Sequence, residues 1–113
     1  MKPINVVDAT FVKEVIESEV PVMVDFWAPW CVPCKAVAPI MIELAAEFDG
    51  TAKICKVNTD ENRQISGMLN IRSIPTVAIF HKGKVQDVLV GARPKRTFIK
   101  ALKSVIKKAA KGK

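Results

Sequence analysis

The chain is poor in cysteine and lacks any long apolar run, internal repeat or low-complexity stretch. Each scarcity excludes something. Three cysteines in 113 residues cannot build a disulfide scaffold, since one would be left over. Without about 18 consecutive apolar residues there is no membrane-spanning helix. Residues 1–10 carry Lys2 and Asp8, with neither an apolar core segment nor a small-residue cleavage pattern, so no secretory signal is expected. A reducing, cytoplasmic setting is the corresponding expectation.

What is present is a globular composition. Half of the residues are hydrophobic and 26% are charged, which suits a folded chain rather than a disordered one. The length fits one domain, 1–113, able to bury a core without disulfides or metal. Charge is unevenly placed. Residues 1–50 carry 3 basic and 8 acidic side chains, whereas residues 51–113 carry 15 and 3. From Arg93 onward there are nine basic residues and no acid. Such a segment can attract nucleic acid, anionic membrane or an acidic protein. The lysines alternate with a regular apolar stripe and no aromatic is interleaved for base stacking, so a solvated helix face is favoured over a nucleic-acid site.

The hydrophobic pattern predicts an order β α β α β α β β α. Ile4–Val7 reads as an outer strand. Asp8 or Thr10 caps a helix to about Ser18, with Phe11, Val12, Val15 and Ile16 at helical spacing. Val20–Trp27, apolar apart from Asp25, reads as a buried central strand. A helix follows to about Phe48, its face made by Val37, Ile40, Met41, Leu44, Ala45 and Phe48, with a kink expected at Pro39. Ala52–Val57 is a strand and Asp60 to Leu69 a weaker helix. Thr76–Phe80 and Val85–Val90 form a hairpin about Lys82-Gly83. Phe98, Ala101, Leu102, Val105, Ile106 and Ala109 stripe the last helix, and 109–113 reads as a frayed basic tail. Alternating strands and helices imply parallel pairing, and the final hairpin is antiparallel. The fold class is therefore α/β, a mixed sheet of about five strands flanked by four helices.

Chemistry concentrates in Trp30-Cys31-Val32-Pro33-Cys34-Lys35, which follows the buried strand and opens a helix. Cysteines at i and i+3 of a helix have Cβ atoms about 5–6 Å apart. A small adjustment closes them into a disulfide, so the pair can open and close without moving the fold. The attacking species is a thiolate, which a helix N-terminus stabilises through its free N–H groups and dipole. Cys31 is placed there as nucleophile, and Cys34, one turn further and less exposed, as the resolving thiol. Zinc would need four ligands. Cys55 and His81 are the other soft candidates, on separate strands and without paired spacing, so no metal site is expected. A purely structural disulfide closing four residues contributes little.

Asp25 interrupts the apolar strand six residues before Cys31. A buried carboxylate is costly unless paired or protonated, and desolvation raises its pKa into the range of a general acid/base. Lys56 in the next strand is the candidate partner. Solvent-facing positions for both remain open at this level. In Ile74-Pro75-Thr76, the proline precedes an apolar run, as at a strand start. The general frequency of cis X-Pro bonds, about 5–6%, favours trans.

Taken in order, these residues are similar to the thioredoxin family. The matches are Asp25-Phe26-Trp27-Ala28, Trp30-Cys31, Pro33-Cys34-Lys35, Pro39, Lys56-Val57-Asn58, Asp60, Ile71-Arg72, Ile74-Pro75-Thr76, Phe80, Gly83 and Gly91, spread from about Asn5 to Lys108. The resemblance implies a protein-disulfide reductase acting by dithiol–disulfide exchange through Cys31 and Cys34. It implies a cis Ile74–Pro75 bond beside the cysteines, and Asp25 buried behind Cys34, acting on its proton with Lys56 nearby. Trp30, Ile74, Pro75, Gly91 and Ala92 would line the docking surface.

Implied partners are disulfide-bearing proteins and a thioredoxin reductase, either an NADPH-dependent flavoenzyme or a ferredoxin-linked one. No bound cofactor is expected besides the Cys31–Cys34 redox disulfide, and a cytoplasmic monomer is the expected form. Val32 and Ser73 stand where the family usually has glycine, tyrosine is absent, and Cys55 is extra and reads as a buried small hydrophobe. Competing readings are a thiol oxidase or isomerase, a reductant dedicated to one partner, and a non-catalytic binding module.

Overall fold

Strand β2, Val22–Trp27, forms the middle of the molecule, and all of its residues except Trp27 are buried. Burial on both faces is why its hydrophobicity does not alternate. The computed structural model describes residues 1–112. Around β2 lie β1 (Ile4–Asn5), β3 (Lys53–Asn58), β4 (Thr76–His81) and β5 (Lys84–Val90). The sheet order is β1-β3-β2-β4-β5. β3 runs parallel to β1 and β2, whereas β4 is antiparallel to β2, and β5 to β4. The parallel β2–β3 pair is joined by helix α1 (Val32–Glu47), as a crossover requires. Helices α2 (Arg63–Met68) and α3 (Lys95–Lys111) follow. A mixed five-stranded sheet with four helical segments is the architecture expected from the sequence.

Both faces of the sheet are covered. On one face, Met23, Val77, Ile79 and Leu89 pack against Val37, Met41 and Leu44 of α1 and Phe98, Leu102 and Val105 of α3. On the other, Val22, Val24, Phe26 and Phe80 pack against Phe11, Val15 and Ile65. Phe11 meets Phe80 edge-on with ring centroids 5.7 Å apart. Strand alternation puts Asp25 on the Met23 face, beneath α1. Cys55 lies in the opposite layer, wholly buried, and burial pushes its thiol up to about 12.

Two local expectations change. The segment after β1 is not one capped α-helix. It is a 3-10 turn, Asp8–Thr10, followed by a π-helical turn, Val12–Ile16. Its carboxylate is used elsewhere: Asp8 accepts from the backbone N–H of Ile65 at 3.0 Å and of Gln64 at 3.4 Å, capping α2 from a distance. A helix as short as α2 is marginal alone, so a tertiary cap offsets its free N–H groups.

The second change is at the chain end. Residues 109–111 are helical rather than frayed, because Ala109 and Ala110 are strong helix formers and the Gly112 N–H closes on the Lys108 carbonyl at 3.0 Å. Lys113 lies outside the described residues. Helix α1 carries Pro39 inside its span. The hairpin stands as predicted, with Lys82 (φ 52°) and Gly83 (φ 77°) both left-handed, as a two-residue turn of this kind requires.

Candidate active site

The loop leaving β2 turns directly into α1. The Cys31 N–H donates to the Ala28 carbonyl at 3.1 Å, and Cys31 takes the N-cap position of α1 in an extended conformation. Its Sγ accepts the Cys34 N–H at 3.2 Å, so the sulfur itself caps the helix. Val32 and Pro33 fill the first turn, where a proline sacrifices no helical hydrogen bond. Cys31 and Cys34 are joined as a disulfide with Cα atoms 5.3 Å apart. The expected contrast in exposure is absent. In the disulfide form Cys31 is 3% exposed and Cys34 4%, because the bond holds both sulfurs against Ala28 and Ile74. The exposed side chains are their neighbours, Trp30 at 68% and Val32 at 73%.

The second wall is the loop before β4. The Ile74–Pro75 bond is cis, so the frequency argument for trans fails and the expectation from the family resemblance stands. Ile74 packs onto the disulfide cluster. The Thr76 hydroxyl donates to the Ser73 carbonyl and fixes the entry to the strand. The Gly91 N–H donates to the Pro75 carbonyl at 2.8 Å, which brings Gly91 (φ 92°) and exposed Ala92 to the same rim. Ile74 thus touches the disulfide cluster, and its neighbour Pro75 is tied to Gly91. Sequence reasoning missed what holds Trp30: its indole Nε1 donates to the Asp60 carboxylate at 3.0 and 3.3 Å. The available signal was the Asn58-Thr59-Asp60 turn, in which the Asn58 side chain accepts the Asp60 N–H at 2.9 Å.

Asp25 is 1% exposed, and neither carboxylate oxygen has a protein hydrogen-bond partner. Asp25 and Lys56 are register partners on β2 and β3, yet they form no ion pair. The Lys56 Nζ instead sits over the Trp27 ring, 4.8 Å from its centroid, where the aromatic face attracts the cation. Lys56 acts on Asp25 through its charge rather than through an ion pair. Burial pushes the Asp25 pKa up to about 7, with the Lys56 charge opposing it. Asp25, Lys56, Trp27 and Cys34 line one cavity of about 140 Å³, which leaves room for water between carboxylate and sulfur. Among the described residues, no three His, Cys, Asp or Glu side chains group as a metal site would. The group that can change oxidation state here is the Cys31–Cys34 pair.

Comparison with known proteins agrees with this geometry. The family model "Thioredoxin" matches residues 2–104. "Thioredoxin 1" of Nostoc sp. is 53% identical over 98 residues, 87% of this chain and 92% of that protein. "Thioredoxin" of Synechocystis sp. is 48% identical over 102 residues, covering 90% and 95%. "Thioredoxin M-type, chloroplastic" of Spinacia oleracea is 48% identical over 102 residues, 90% of this chain and 56% of its own.

Proposed function

The chain belongs to the thioredoxin family and is a thiol–disulfide oxidoreductase that reduces protein disulfides, and from that premise we propose how its residues divide the work. Cys31 is the nucleophile, Cys34 the resolving thiol, Asp25 the proton acceptor for Cys34, and Lys56 the charge that tunes Asp25. The observation that carries this assignment is the position of Cys31: its sulfur occupies the N-cap of α1, where the helix dipole and the Cys34 N–H stabilise negative charge.

In the reduced protein, the Cys31 thiolate attacks one sulfur of the partner's disulfide. A mixed disulfide forms and the partner's other sulfur leaves as thiolate. Asp25, in its carboxylate form, takes the Cys34 proton through water in the shared cavity. The Cys34 thiolate then attacks the Cys31 sulfur. The mixed disulfide breaks, the partner leaves carrying two electrons more than it brought, and Cys31–Cys34 is left oxidised. Trp30, Ile74, Pro75, Gly91 and Ala92 seat the incoming segment, with the free backbone groups of Ile74 pairing to its extended chain.

Disulfide-bearing proteins and a reductase are the partners of such a protein. We assign the reductase to the NADPH-flavoenzyme or ferredoxin-linked types, and the setting to a reducing cytoplasm, with the protein acting as a monomer. No helix among the described residues is long and apolar enough to cross a membrane. The decisive test is reduction of insulin disulfides in the presence of dithiothreitol, beside Cys31→Ser. Acceleration lost in the variant is expected. Equal acceleration by both proteins would remove Cys31 from the mechanism.

A further inference from the structure

We infer that the outer face of α3 is a docking track for an acidic, disulfide-bearing partner protein; the inference rests on Cys31 being the reactive thiol at the adjoining rim. Arg96, Lys100, Lys103, Lys107 and Lys111 recur at intervals of four, three, four and four. At 3.6 residues per turn they fall within an arc of about 80°, on a line of roughly 22 Å. All five are exposed, and the opposite side of the helix, Phe98, Leu102 and Val105, is in the core.

Apart from Lys111 at the helix C-terminus, folding gains little from this arrangement. Cations three and four residues apart on one helix face repel. Arg93, Lys95 and Arg96 crowd the N-terminal end, where the helix dipole disfavours positive charge, and the first turn has no acid. The complement to the dipole that accounts for Lys108 and Lys111 therefore does not account for the stripe. Among the described basic residues of this segment, only Lys95 pairs with acids, with Glu43 at 2.8 Å and with Glu47, both of α1. Asp87 of β5 lines a shallow groove with Arg93, Thr97 and Lys100 without pairing to either cation.

Position selects the occupant. The stripe begins one turn from the docking rim, since Arg93 follows Ala92 and the Gly91 N–H is tied to Pro75. A protein delivering a disulfide across that rim extends along α3. The outer face carries no aromatic for stacking on bases and no large apolar side chain to enter a bilayer. A carboxylate-rich protein surface beside the target disulfide matches both the charge and the geometry. Its effect is on the rate of encounter, and salt weakens it.

The test uses two synthetic peptides with the same intramolecular disulfide loop, one followed by a run of glutamates, the other by glutamines. Reduction rates are measured with the full chain at about 20 mM and about 0.5 M salt, where the screening length falls from roughly 20 Å to roughly 4 Å. The glutamate peptide is expected to react about tenfold faster at low salt, with the advantage gone at high salt. The triple variant K100E/K103E/K107E, its fold checked by circular dichroism, loses the preference and keeps the wild-type rate on the glutamine peptide. K2E/K13E/K84E, with the same change of net charge elsewhere, keeps the preference.

Equal rates on the two peptides, or a preference surviving in the α3 variant, would overturn the track while normal glutamine-peptide reduction left the oxidoreductase intact. Failure to reduce either peptide would overturn both. Tighter binding of a short DNA duplex than of the glutamate peptide through the same three lysines would assign the face to nucleic acid instead.

Discussion

Replacing Asp25 by asparagine is expected to make the protein more stable and less active, each with its own pH signature. The carboxyl pKa rises from 3.8 to about 7 because the group is buried. In the unfolded chain it ionises near 3.8, so between these values the native state holds a proton that the unfolded state has released. Stability therefore falls as pH rises across that window and levels off above pH 7. The difference corresponds to about 4 kcal/mol at an order-of-magnitude level. Asp25→Asn removes the titration. Denaturant unfolding at pH 4, 7 and 9 is expected to show the variant gaining on the wild type progressively, most at pH 9. An advantage equal at all three would mean that Asp25 is not held neutral by burial.

The kinetic signature is separate. Decay of a trapped mixed disulfide depends on deprotonating Cys34, and loss of a positioned base costs about 10²-fold, the low end for such groups. The deficit is largest at and below neutral pH, where an unaided thiol stays protonated. It closes as the pH passes the thiol's own pKa and hydroxide replaces the base. Stopped-flow single turnovers resolve this step. An unchanged pH–rate profile in Asp25→Asn would refute the role of Asp25, whatever happened to stability.

Cys34→Ser is expected to stop after the first exchange and accumulate covalent complexes with substrate proteins, seen on non-reducing gels; turnover at the wild-type rate would end the two-thiol scheme. Cys55, wholly buried with its thiol pushed up to about 12, is expected to resist iodoacetamide in the native reduced protein at pH 8 and to react on unfolding, which mass spectrometry reads directly. Gly83→Ala places a side chain at φ 77° with its Cβ 3.1 Å from Ile16 Cγ2, and a loss of about 1–2 kcal/mol is expected from thermal unfolding.

Where the sequence was informative, one physical pattern dominated, and where it failed, two parts of the chain had to be seen together. Apolar periodicity located β2, α1 and α3 because each buries a face large enough to override local preference. It could not show that Asp8 caps α2 rather than its own segment, since the two are 57 residues apart along the chain. The cysteine pair was legible because i and i+3 spacing at a helix start is local geometry. The cis bond at Pro75 was not, because the choice of isomer lies in the tertiary contacts around Ile74 and Gly91 rather than in the dipeptide. Asp25 and Lys56 show the same limit at one site. Strand pattern put both on neighbouring strands, and the structure makes them register partners. Yet the lysine lies over Trp27, and the aspartate has no protein partner. That divergence is what leaves the carboxylate able to hold or release a proton near neutral pH. A direct ion pair would have lowered its pKa and removed it from the range in which Cys34 needs a base.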